Sequence, residues 1–355
     1  MKFIQSTGYS IYFNADAYTA LNSYLTANEI SSIFLLVDEN TRSYCYPIFK
    51  QKIDIQKDIA IIEIKAGEAH KNIMTSVAVW EKLTELGADR KSLVINLGGG
   101  MLTDLGGFVA STFKRGIKFI NIPTTLLSMV DASVGSKTGV DLDNLKNLIG
   151  LFSNPEMVII DTDYLATLPE REMRSGIGEI IKYGLTFDPE LLQDILNDSW
   201  KDARNLDAII HKSVSIKNTV VLKDPKEENL RKVLNYGHTV GHAIESYFLE
   251  HPSLQNLTHG EAIAIGMVIE AYTSHKLYNF SLETVTSLKK YIHNTFGLTK
   301  IATEHYPEIL GLMKHDKKNI NGSVRYILLK NVADFIINAT APAELIIEGF
   351  DFYNS

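Results

Sequence analysis

Five short β-branched runs separated by amphipathic stretches constrain this chain more than any other feature. They are SIFLLVDEN (32–40), IAIIEIKAG (59–67), SLVINLGGG (92–100), IKFINIP (117–123) and MVIIDTD (157–163). Runs this apolar suit strands buried on both faces, so the alternation predicts an α/β domain with a mostly parallel sheet covered by helices. After LPEREMRSGIGEIIKYG (168–184) the strand-like runs nearly vanish. Helical periodicity takes over, as in LRKVLNYGHTVGHAIESYF (230–248) and HGEAIAIGMVIEAYTSHKLY (259–278), with glycines tolerable where helices pack closely. The expected division is residues 1–165, α/β, and 166–355, all-α. With no flexible linker between them, the two domains are expected to share a tight cleft.

At 355 residues, 45% apolar and 22% charged, the chain can bury a core in each of two domains. A net charge of −7 without a Lys/Arg-rich run argues against a nucleic-acid partner. A single cysteine, Cys45, rules out an internal disulfide and a cysteine metal cage. The opening MKFIQSTGYS has no apolar signal core, and no stretch reaches the ~20 apolar residues that span a bilayer. The expectation is a cytoplasmic protein with no membrane association.

Three signals carry chemistry. LGGGMLTDLGGF (97–108) follows a strand and opens a helix, so its backbone N–H groups can approach a pyrophosphate. Its spacing is not GxGxxG. Asp38, ending an earlier run, is placed to accept from a ribose hydroxyl or else to cap a helix. Together they are compatible with NAD and go no further. The second signal is a scatter of Lys and Arg beside glycines or apolar runs, in FKRG, VGSKTG, LKNLIG, EIIKYG, IKNTVVLKD, NLRKVLN and MKHDKKN. Surface cations mean little singly, whereas convergence on one cleft would mark a small anionic substrate. The third is His238 and His242, four apart on one helix face, with Glu179 and His259 in separate helical segments. An isolated HxxxH is more often a hydrogen-bonded packing pair. Three or four N/O ligands without cysteine instead describe an open catalytic Zn²⁺-type site.

From AGEAHK (66–71) to HDKK (315–318) the chain resembles the 3-dehydroquinate synthase family, the cyclases of the shikimate pathway and aromatic amino acid biosynthesis. The resemblance rests on IPTTLLSMVDASVGSKTGVD (122–141), TLPEREMRSGIGEIIKYGL (167–185), LNYGHTVGHAIES (234–246) and HGEAIAIGM (259–267). It implies a Rossmann-like N-terminal domain and a lyase that uses NAD and a divalent metal, Zn²⁺ or Co²⁺. The sugar phosphate substrate would be 3-deoxy-D-arabino-heptulosonate 7-phosphate, converted to 3-dehydroquinate and phosphate by transient oxidation, elimination, re-reduction and aldol closure. A homodimer is implied as well.

Position by position, the resemblance gives NAD contacts to Asp38, Glu68, Lys71, Gly99, Gly100, Asp104, Thr124, Thr125, Lys146 and Thr167. The metal goes to Glu179, His238 and His259. Lys137, Asn147, Lys182, Lys217 and His242 would be catalytic, and Arg115, Asp131, Arg231, Asn235 and Lys317 would bind substrate. Ser136, Leu145, Pro225 and Asn229 depart from the family pattern at backbone-type positions rather than at charged ones. The alternatives are another sugar phosphate cyclase, acting on glucose 6-phosphate or sedoheptulose 7-phosphate, a metal- and NAD-dependent polyol dehydrogenase, and an inactive NAD-binding scaffold. The last would be expected to lack a metal ligand, and no ligand is lost.

Overall fold

Alternating apolar runs and amphipathic stretches become strands and helices in the computed structural model, which describes residues 3–142, 145–314 and 324–355. Lys317 lies outside the described residues. The chain divides into two units, Met1–Pro169 and Glu170–Ser355.

Unit one runs β1 (Phe3–Gln5), β2 (Ser10–Phe13), α1 (Asn14–Ala27), β3 (Ile33–Asp38), α2 (Glu39–Tyr44), α3 (Tyr46–Lys52), β4 (Ile59–Ile64) and α4 (Ile73–Glu85). It continues with β5 (Leu93–Gly98), α5 (Gly100–Thr112), β6 (Lys118–Pro123), β7 (Lys137–Leu142), β8 (Leu145–Phe152) and β9 (Met157–Ile160). Seven strands form one sheet in the order β1-β2-β9-β6-β5-β3-β4, parallel except for β1 against β2. Every residue of β3, β5 and β9 is buried, which is why their sequences show no polar alternation. The hairpin β7–β8 stands apart from this sheet. Phe34, Leu36, Val94, Leu105, Phe108 and Phe119 belong to one core between sheet and helices. Truncating a buried leucine such as Leu36 to alanine would cost about 2–5 kcal/mol.

Chain order places β4 on one side of β3 and then returns to put β5 on the other. The connections leaving β3 and β5 therefore diverge at a switch point, the position where open α/β sheets bind ligands beyond the strand C-termini. Asp38 ends β3 and Gly98 ends β5.

Unit two runs α6 (Glu170–Phe187), α7 (Pro189–Leu196), α8 (Ala203–Lys223), α9 (His238–Glu250), α10 (His259–Tyr278), α11 (Leu282–Phe296), α12 (Tyr306–Lys314), β10 (Tyr326–Asn331), β11 (Asp334–Ala339) and α13 (Ala343–Asn354). Its one hairpin among the described residues is β10–β11, set in an otherwise helical unit. Helix α10 is buried continuously from Gly260 to Ala271 because it packs against α6, α9, α11, α13 and β10. Periodicity predicts one helix over 230–248. The structure instead makes a 3₁₀ turn at Leu230–Asn235 and starts α9 at His238, because Gly237 takes φ +78° and breaks the helical path.

Candidate active site

In unit one, the strand–glycine–helix reading of residues 97–108 matches the structure. Gly99 is the N-cap of α5 and has no side chain with which to cap it. A Cβ there would lie 3.0 Å from Thr125 Cγ2, and one on Gly100 would lie 3.0 Å from Ala132 Cβ, so a side chain at either position would have to push a neighbour back by a few tenths of an ångström. The first turn of α5 thus presents backbone N–H groups and the positive end of a helix, a site that suits a pyrophosphate. Thr124 and Thr125 follow β6, and the Thr124 N–H donates to Gly98 O at 3.0 Å, tying the ends of neighbouring strands together. Asp38 caps α2: its Oδ1 accepts the Thr41 N–H at 2.8 Å, and Thr41 Oγ1 accepts the Asp38 N–H at 2.9 Å. Thr167 Oγ1 lies 3.5 Å from Cys45 Sγ.

Lys71 is buried and ion-paired with Asp104 at 2.8 Å and Glu68 at 3.5 Å. Burial would lower its pKa, but the two carboxylates prevail and raise it. Asp131 lies in a π-helical turn after β6. Lys137 opens β7 and is exposed, while Lys146 and Asn147 lie on β8, where Asn147 N–H donates to Asp141 at 2.6 Å. Lys114, Arg115 and Gly116 have φ of 50°, 70° and 106° in succession. Holding two non-glycine residues there costs of order 1–3 kcal/mol each, a strain that accumulates at functional turns.

In unit two, four of the expected residues converge directly. Glu179 Oε1 lies 3.3 Å from His238 Nε2 and 3.2 Å from His259 Nε2, and Glu179 also pairs with buried Lys182 one turn along α6. Ligands bonded at ~2.0–2.1 Å to one tetrahedral ion stand about 3.3–3.5 Å apart, so the distance of this carboxylate from each of the two imidazoles is close to that of two ligands sharing an ion. Each ring is fixed by its other nitrogen. His238 Nδ1 is 3.0 Å from Tyr236 O, and His259 Nδ1 is 3.3 Å from Glu245 Oε2, the outer contacts by which metal-binding histidines are oriented. His242 joins them, its ring centre 5.1 Å from His238 and 5.6 Å from His259. Ligand atoms of the three histidines fall within 4.8 Å of one another, so a three-histidine set is also open. The contacts of Glu179 with His238 and His259 at 3.3 and 3.2 Å support the set that includes the carboxylate.

Glycine lets these helices meet. A Cβ on Gly178 would sit 2.7 Å from Gly260 O, one on Gly260 2.0 Å from Ser175 O, and one on Gly241 2.9 Å from Ile263 Cα. Each of Glu179, His259 and His242 adjoins a glycine at which two helix backbones touch. Burial alone pushes the Glu179 carboxyl up, yet Lys182 and the two imidazoles reverse this and hold it well below the ordinary carboxylate value. Burial lowers His238, whereas at His259 the Glu245 and Glu179 carboxylates overcome burial and raise the imidazole to about 9.

Lys217 on α8 and Arg231 are buried, and the turn bearing Arg231 packs against α6 and α8. The Arg231 guanidinium donates to Pro225 O at 2.8 Å, while the backbone N–H groups of Glu228, Asn229 and Arg231 all donate to Asp224 at 2.7–3.0 Å. Asn235 Nδ2 donates to Glu227 Oε1 at 2.7 Å. Sequence reasoning missed Asp224, Glu227 and Glu245. Glu245 continues the stripe of His238 and His242 at i+7, a signal that helical spacing offered. Nothing comparable marks the other two.

Residues 61–175 match the family described as 3-dehydroquinate synthase N-terminal, and residues 176–319 match 3-dehydroquinate synthase C-terminal. A 3-dehydroquinate synthase of Parabacteroides distasonis is 41% identical over 345 residues, covering 95% of this chain and 96% of that protein. The crystal structure of 2-deoxy-scyllo-inosose synthase complexed with carbaglucose-6-phosphate, NAD⁺ and Co²⁺ is 25% identical with a TM-score of 0.84, covering 98% of this chain and 99% of that one. ValA, a 2-epi-5-epi-valiolone synthase from Streptomyces hygroscopicus with NAD⁺ and Zn²⁺ bound, is 22% identical with a TM-score of 0.84, over 99% of this chain and 98% of that one. The likeness to ValA is one of fold.

Proposed function

Because the chain belongs to the 3-dehydroquinate synthase family, we propose that it converts 3-deoxy-D-arabino-heptulosonate 7-phosphate to 3-dehydroquinate and phosphate. The observation that carries this reading is the convergence of Glu179, His238 and His259 beside buried Lys182. When bound, a divalent ion supplies Lewis acidity toward a substrate hydroxyl, and NAD⁺ supplies a transient hydride acceptor.

The ion would be held by Glu179, His238 and His259. The nucleotide would be held by Gly99 and Gly100 at the start of α5, by Thr124 and Thr125, and by Asp38, with Glu68, Lys71, Asp104, Lys146 and Thr167 completing its surroundings. Lys182, Lys217 and Arg231 are cations withdrawn from water, an arrangement that suits the phosphate and carboxylate of an anionic substrate. Their charge also offsets that of the departing phosphate. Asn235, kept in orientation by Glu227, positions a substrate hydroxyl. His242, half-buried beside the ligand set, is placed to hold or pass a proton. Arg115, Asp131, Lys137 and Asn147 are assigned to the substrate, a role that the strained turn at Arg115 supports. Aldol closure is intramolecular, so its acceleration comes from orientation.

We assign the assembly as a homodimer. Leu148 and Phe152 share a face of β8 and are 42% and 59% exposed, apolar surface that a second copy would cover. No helix among the described residues is long and apolar enough to cross a membrane, and the proposed reaction belongs in the cytoplasm. Purified protein given the heptulosonate phosphate and catalytic NAD⁺ should release phosphate over many turnovers without net NADH. Stoichiometric NADH would identify a dehydrogenase. Phosphate released only from glucose 6-phosphate or sedoheptulose 7-phosphate would identify another cyclase.

A further inference from the structure

Glu270 is fully buried in the apolar helix α10, where an unpartnered carboxylate would cost several kcal/mol. Its two oxygens face the first turn of α9. Oε2 accepts the Gly237 N–H at 2.8 Å, and Oε1 accepts the Val240 N–H at 3.3 Å. In a capping box these two bonds come from two side chains of the helix's own first turn. Helix α9 has no such pair, because its N-cap is Gly237 at φ +78° with no side chain to offer. Nor can one be introduced: a Cβ at 237 would lie 2.4 Å from Met267 Cγ and 3.1 Å from Ile263 O. The close approach of α9 to α10 therefore removes the local cap, and the same neighbour, α10, supplies a replacement. The negative charge also meets the positive end of α9.

The first residue of α9 is His238, and its Nδ1 partner is Tyr236 O, one residue before the capped glycine. We propose that Glu270 is a positioning residue for the metal-ligand set: by capping α9 from α10 it fixes the height and rotation of His238 and His242 before any ion binds. The inference rests on the reading of His238 as a ligand.

The test uses full-length protein stripped by a chelator, with Co²⁺ as the probe. Glu270→Gln keeps the side chain's shape but offers one acceptor and two donors to a pair of N–H groups, so one cap bond becomes a repulsion. Competition against a chelator should show Co²⁺ affinity lowered at least tenfold, on the scale of ~10–100-fold seen when a ligand loses its orienting partner, and the visible bands of the Co²⁺ protein should shift. Wild-type affinity and spectrum in E270Q, even with a lowered melting temperature, would overturn the proposal and leave Glu270 a structural cap alone. His238→Ala run in parallel keeps the two ideas apart, since unchanged Co²⁺ binding there refutes His238 as a ligand whatever E270Q does. Should E270Q fail to fold, amide exchange on the metal-free wild type decides. Protection of Gly237 and Val240 matching the middle of α9 supports the cap, and exchange at the rate of an open segment overturns it.

Discussion

Gly260→Ala tests whether close helix packing is what brings the proposed ligands Glu179 and His259 together. The new Cβ would lie 2.0 Å from Ser175 O, 2.5 Å from Ser175 Cα and 2.6 Å from Ser175 C, all backbone of α6. Carbon–oxygen contacts close to about 3.3 Å, so α6 and α10 must part locally by roughly 1.3 Å, because no side-chain rotation can relieve a backbone clash. The hydrogen bond from Gly260 N–H to Ser175 Oγ, 3.0 Å, lengthens with it. Overpacking of this kind costs about 1–3 kcal/mol, and the weakened hydrogen bond adds ~0.5–1.5 kcal/mol. Glu179 and His259 lie on the two helices being separated, 3.2 Å apart, whereas coordination distances tolerate only about ±0.2 Å. G260A should therefore lose stability in urea titration and also emerge from dialysis with little metal, read by atomic emission. Gly311→Ala is the control: in α12, with no described atom within 4 Å of its Cβ, it should stabilise by about 0.4–1 kcal/mol. A G260A protein of normal stability and full metal content would refute the reasoning.

His238→Ala should strip most of the metal, whereas His242→Ala should retain it while turnover falls roughly 10²–10⁴-fold; equal metal loss in both would install the three-histidine set instead. Glu245→Ala should weaken metal binding by ~10–100-fold through His259, and unchanged affinity in chelator competition would remove Glu245 from that role. Burial pushes the Asp224 carboxyl up, but the N–H groups of Arg231, Asn229 and Glu228 outweigh it and hold the group below the ordinary value. With the folded pKa lowered, its stabilisation is complete above the unfolded value of about 3.9 and fades as pH falls through the folded one. Asp224→Asn should accordingly cost ~1–3 kcal/mol at neutral pH, with the deficit shrinking below about pH 4; a deficit constant from pH 7 to 3 would count against this account.

The strands of the sheet were legible because total burial leaves a local mark: β3, β5 and β9 have no polar position to keep. Strands β7 and β8, whose burial is mixed and whose register shifts at Val140–Leu142, left no such mark. Asp38 shows a different limit. An acidic side chain at a strand end serves either role proposed for it, and only coordinates reveal that one of its oxygens caps α2. Ser136, a non-glycine residue, holds φ +64°, a backbone conformation that its sequence does not announce.

The proposed metal site was legible as residue types but not as a geometry, for a reason that lies in its construction. Glu179 and His259 are 80 residues apart, and what unites them is contact between α6 and α10 at Gly178 and Gly260. Helical periodicity describes one helix at a time and ranks glycine as a weakness in each. Across two helices the same glycines are what allow the backbones to touch, so the feature that lowers confidence in either helix alone is the one that builds the site. Periodicity also ran His238 into the middle of a long helix, where its carbonyl and N–H would be spent on neighbours in the same helix. At the first position of α9 its backbone N–H lacks an intrahelical partner, and the orientation of its ring is set by Tyr236 O just outside the helix. On the reading of His238 as a ligand, the break at Gly237 is part of how its ring is aimed, and a substitution that restored an unbroken helix over 230–248 should lose the metal while gaining helix.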